Sequence, residues 1–76
     1  AEQGNAMAQS NLGSMYANGE GVPEDYVVAY MWLNLAAAQG HEGAKSSKGI
    51  ISEEMTKEQI AEAQKLSREW MVKRQD

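Results

Sequence analysis

The chain repeats itself once, at an interval of thirty-six residues. Gln39-Gly40 restates Gln3-Gly4, and the same step carries Ala1 to Ala37, Ala8 to Ala44, Ser10 to Ser46 and Gly13 to Gly49. Small residues fall on small residues, as they must where helix backbones approach closely. A period in the thirties belongs to stacked helical pairs, each too short to bury its apolar side alone. One full period covers about residues 4–40, and a degenerate copy occupies 41–76. With 76 residues in all, the chain holds one small domain at most, with much of its surface in water.

Composition turns the repeat into helices. Ala, Gln, Glu, Lys and Met are frequent, Phe is absent and there is a single Pro. Unbranched side chains lose little freedom in a helix. The first helix is predicted from about Asn5 to Ala17, with Ala8, Leu12, Met15 and Tyr16 on one face. Asn18-Gly19-Glu20-Gly21 then reverses the chain, the glycines supplying positive φ. A second helix is predicted to begin near Pro23 to Asp25, with Glu24 and Asp25 at the positive end of its dipole, and to stop at Gly40. The third covers about Glu42 to Ser52. The fourth opens on Thr56-Lys57-Glu58-Gln59, a capping box, and carries Ile60, Ala63, Leu66, Ser67, Trp70 and Met71 on one side.

Several functions are disfavoured by what the residues lack. Without cysteine there is no disulfide scaffold and no thiolate zinc site. His41 is the sole histidine and follows a turn glycine, so it reads as a surface residue rather than a ligand. Glu20, Glu24 and Asp25 cluster, but without the ligand spacing of a calcium loop, and helix-dipole pairing accounts for them. Ser10, Ser14, Ser46 and Ser47 have no His–Asp set to activate them. Gly19-x-Gly21 lacks the Lys-Ser/Thr of a phosphate loop. No catalytic residue, metal or cofactor is expected. A net charge of -4 with no basic cluster argues against nucleic acid, and no apolar run is long enough to span a membrane. No signal peptide is visible. The opening Ala1-Glu2-Gln3-Gly4 without Met reads as a piece of a longer protein, so a periplasmic or secreted location and a cytoplasmic one both stay open.

The motif order identifies a family. Ala8-x-x-x-Leu12-Gly13-x-x-Tyr16, then Gly19-x-Gly21-Val22-x-x-Asp25-Tyr26, then Ala29-x-x-Trp32 and Ala36-Ala37-x-x-Gly40, resemble the Sel1-like repeat across one whole unit. The resemblance implies an all-α fold of antiparallel helix pairs stacked into an α-α superhelix, a solenoid akin to tetratricopeptide repeats, here with four helices. It also implies a non-enzymatic adaptor or scaffold that contacts another protein. On packing grounds Gly13 and Ala8 let helices close up, while Tyr26 and Trp32 are expected to fill the space between the pair, with Ala29 and Ala36 as holes.

The second unit departs from this pattern. Lys48 replaces Leu12, Ser52 replaces Tyr16, and Glu53-Glu54-Met55 stands where the glycine loop was. Residues 41–76 are therefore expected to be a C-terminal capping pair, with a polar outer face of Glu58, Glu62, Lys65, Lys73 and Arg74. In tetratricopeptide-like units the first helix of each pair lines the concave face. By that resemblance the candidate protein-binding flank is Met7, Ser10, Ser14 and Ala17, continued by Ser46 and Ile50 of the third helix. The partner is another protein or peptide. Weak self-association through the open N-terminal end, around Ala1, Met7 and Ala8, is also expected. Two other roles stay open: a purely structural cap, and an accessory segment of a cell-envelope enzyme.

Overall fold

The structure is a computed structural model and describes residues 2–74. Four helices follow one another, α1 (Glu2–Asn18), α2 (Tyr26–Ala38), α3 (Glu42–Ser52) and α4 (Lys57–Arg74), with no strand among the described residues. The predicted all-α architecture of four helices is the observed one. The helix ends show why.

The loop after α1 turns on Gly19 at φ 69° and Gly21 at φ 76°, and the Asp25 amide donates to the Tyr16 carbonyl to close it. Gly40, at φ 90°, stops α2. There the Gly40 amide donates to the Ala37 carbonyl and the His41 amide to the Ala36 carbonyl, the paired bonds of a Schellman motif. The predicted capping box of α4 is closed: the Gln59 amide donates to Thr56 Oγ1 at 3.0 Å, and the Thr56 amide donates to Gln59 Oε1 at 2.9 Å.

Two ends differ from expectation. Pro23 and Glu24 lie before α2, not in its first turn. Asp25 is the N-cap, and its carboxylate accepts from the amides of Val27 and Val28, so local hydrogen bonding fixes the start of the helix. His41, expected as a plain turn residue, caps α3: its Nδ1 accepts from the Ala44 amide at 3.1 Å.

α2 is the hub, packed against each of the other three helices, and α4 leans on α2 far more than on α3. The buried apolar residues are Ala6, Ala29, Tyr30, Leu33, Leu35, Ala36, Ala37, Ala44, Ile51 and Ala63. Most are alanines, so tight backbone approach, rather than bulk, fills the interior. The radius of gyration, 11.4 Å, is that of one closely packed body of this length, for which about 11 Å is typical.

The face of α1 that meets α2 is a small-residue face built on Ala6 and Gly13, with Ala17 half-buried beside them. Ala8 and Met15, expected in the core, are exposed. Size decides this: Leu33 leaves no room for a long side chain opposite it, so glycine and alanine turn inward. Trp32 is displaced as well. It is half-buried at the side of α2, edge-to-face with Trp70 of α4, ring centroids 5.7 Å apart at 72°. Tyr26 is also only half-buried, and Tyr30 with Leu33 fills the space assigned to that pair.

On α4, Ala63 and Ser67 are buried, Ile60, Leu66 and Trp70 are half-buried, and Met71 lies at the exposed edge of the side. The buried Ser67 hydroxyl donates to the Ala63 carbonyl, which satisfies it within its own helix. The outer residues Glu58, Glu62, Lys65 and Lys73 are exposed, while the Arg74 side chain and Ala1 lie outside the described residues.

A candidate protein-interaction face

Of the six residues proposed from the sequence, three share one cleft, one lines a separate recess and two line neither. Ser14 and Ala17 of α1 meet Ile50 of α3 across a cleft of about 140 Å³, with Ser47 and Ile51 beside them and Leu33 as its floor. The helix register explains the meeting. Ser14 and Ala17 flank Gly13, so the close contact of Gly13 with α2 swings them toward α3. Ile50 follows Gly49 and stands 67% exposed beside the buried Ile51. A large apolar side chain thus stands in water beside a shallow recess whose lining mixes Ser14, Asn18 and Ser47 with Ala17, Leu33 and Ile51.

Met7 lies elsewhere. It is 58% exposed and lines a recess of about 230 Å³ with Ala6, Gln39, Gly40, His41 and Glu42, where α1 passes the turn between α2 and α3. Ser10 is half-buried and Ser46 exposed; neither lines these recesses. Met7 and Ala8, grouped in the expected N-terminal end face, also diverge, since Ala8 borders a different groove with Trp32 and Trp70.

That third groove, about 440 Å³, was not foreseen. Its signal in the sequence was the pair of tryptophans, but both were assigned to packing.

The polar side chains perform structural work. The Asp25 carboxylate and the His41 ring cap helices. The Ser52 hydroxyl donates to the Gly49 carbonyl. Lys48, where the first unit has Leu12, donates to Asn34 Oδ1 at 3.0 Å and sits 5.7 Å above the centre of the Tyr30 ring, so the charge is held at the edge of the core by an amide and a π-face. Among the described residues no group of three or more His, Cys, Asp or Glu gathers where it could hold a metal ion. No helix among them is long and apolar enough to cross a membrane.

Comparison with known proteins agrees with the geometry. The profile of the Sel1 repeat matches residues 6–41, from the buried Ala6 of α1 to the His41 cap of α3. No curated protein matches the chain. Sel1 repeats generally mediate contacts between proteins, and the family is generally non-catalytic. An α1–α2 pair closed on small residues, ended by a Schellman glycine and matched by that profile from Ala6 to His41 makes this chain a Sel1-like repeat protein.

Proposed function

We propose that the chain is an adaptor or scaffold module that binds another protein across its α1–α3 face, with Ile50 as the anchor. The observation that supports this is the placement of Ser14, Ala17 and Ile50 around one shallow cleft, with Ile50 two-thirds exposed. Small walls beside a projecting apolar side chain leave space for a partner side chain to enter and cover it. Ser10, half-buried on α1, and Ser46, exposed on α3, lie outside this cleft, and Met7 lines a separate recess. The exposed Met7 is the surface through which the chain is expected to self-associate weakly.

A photo-crosslinking residue at Ile50, compared with one at the exposed Glu62 on the outer side of α4, tests this reading in the source cells. A discrete protein adduct from position 50 and none from position 62 is the expected result. Equal labelling from both positions, or none from position 50, would contradict it. The exposed charges Glu58, Glu62, Lys65 and Lys73 favour a second role, that of a solenoid end cap. In that case deleting residues 41–76 from a longer array would lower its melting temperature without changing what it binds.

A further inference from the structure

We propose that the groove walled by α1 and α4 and floored by Trp32 binds an uncharged, extended, proline-containing segment of another protein. Its lining brings together Asn5, Gln9 and Leu12 of α1, Trp32 and Gln39 of α2 and Trp70 of α4. This site is separate from the Ile50 cleft and does not rest on the reading above.

Charge narrows the occupant first. Among the described residues, no Lys, Arg, Asp or Glu lines this groove. A charged segment laid here would lose water and gain no counter-charge, a strongly unfavourable exchange. The complementary ligand is therefore neutral.

Shape and hydrogen bonding narrow it further. The two indoles meet at 72°, which makes an angular apolar notch rather than a flat platform. Ring-shaped proline side chains fill such notches, and aromatic-lined grooves take polyproline II segments because that conformation is already extended and loses little entropy on binding. A proline segment offers backbone carbonyls and few amide hydrogens, so it needs donors. Three side-chain amides stand in this groove; both N–H groups of Gln39 are engaged within the protein, so the donors for a ligand come from Asn5 and Gln9. Gln39 Nε2 donates to Gln9 Oε1 and to the Leu35 carbonyl, which holds the Gln9 amide by its oxygen and leaves its nitrogen unengaged among the described residues.

The test uses the whole chain and its own fluorescence, because both of its tryptophans line the groove. The probes are blocked decaproline, a blocked Gly-Ser decapeptide, decaproline with a central glutamate pair, and chitotetraose. Decaproline is expected to shift the indole emission saturably, with Kd in the range of about 10–1000 µM. The Gly-Ser peptide should not, and the glutamate pair should weaken binding at least about tenfold. Gln9→Ala with Gln39→Ala should also weaken decaproline about tenfold while far-UV circular dichroism stays unchanged; Gln9→Ala alone serves if the double variant unfolds. Ile50→Asp should leave decaproline binding as it is. No saturable response below about 1 mM overturns the proposal. So does an undiminished affinity in the glutamine variants, which would place the peptide elsewhere. Saturation by chitotetraose but not decaproline would make the groove a glycan site and overturn the peptide assignment.

Discussion

Gly13 lies so close to Leu33 that a Cβ on the glycine would stand 2.7 Å from Leu33 Cγ and 3.1 Å from the Ala29 carbonyl oxygen. Leu33 is fully buried and Cγ is not a flexible tip, so neither side can give way cheaply. Gly49, thirty-six residues on, has nothing within 4 Å of the same position. Two glycines matched by the repeat therefore do opposite things. Gly13→Ala should destabilise by about 1–3 kcal/mol through overpacking, outweighing a gain in helix propensity of about 1 kcal/mol. Gly49→Ala should stabilise by about 0.5–1 kcal/mol, since only the propensity term remains. Chemical denaturation of the two variants checks this, and the same sign in both would refute the account of α1 packing.

Thr56→Ala should cost about 1 kcal/mol, because it removes the acceptor for the Gln59 amide and one side of a reciprocal pair. Thr56→Ser should be close to neutral. A melting curve for the alanine variant that overlays the parent would show that the cap contributes nothing.

The half-buried position of Trp32 changes what its removal should do. Leu33→Ala empties a fully buried site and should cost about 2–5 kcal/mol. Trp32→Ala loses partial burial and the edge-to-face contact with Trp70, together about 2 kcal/mol. The leucine variant should therefore be the less stable of the two by urea denaturation. The reverse order would return Trp32 to the core.

Sedimentation equilibrium tests the expected self-association. The parent chain should show a mass that rises weakly with concentration, and Met7→Glu should abolish the rise. A monomer mass constant into the millimolar range would exclude it, and a dimer that survives Met7→Glu would place the contact on another face.

Local chemistry was legible in the residues. Gly40, the Asn18–Gly21 reversal and the Thr56–Gln59 box act within a few positions of themselves, so these three helix ends could be read without knowing what lies across from them, whereas the caps at Asp25 and His41 were not foreseen. The inward face of α1 was legible only in part. Of the residues that helical spacing set on one face, Tyr16 packs against the core and Leu12 is half-buried, but Ala8 and Met15 are exposed, because the contact that orients the helix is steric and comes from Leu33, twenty residues beyond Gly13. Trp32 was misplaced for the same reason: its neighbour Trp70 belongs to a helix outside the recognised unit. Of the proposed interaction residues, Ser14, Ala17 and Ile50 meet because the thirty-six-residue step places them on equivalent flanks, while Met7 parts from them at the far end of α1.

The central functional claim is that the α1–α3 face binds protein without doing structural work. Titration calorimetry of the partner identified by crosslinking, against the parent chain and Ile50→Asp, tests it most directly. Ile50 is two-thirds exposed, so the variant should melt as the parent does while its Kd rises at least about tenfold. An unchanged Kd, or a weakened one that only follows a fall in melting temperature, would contradict the claim.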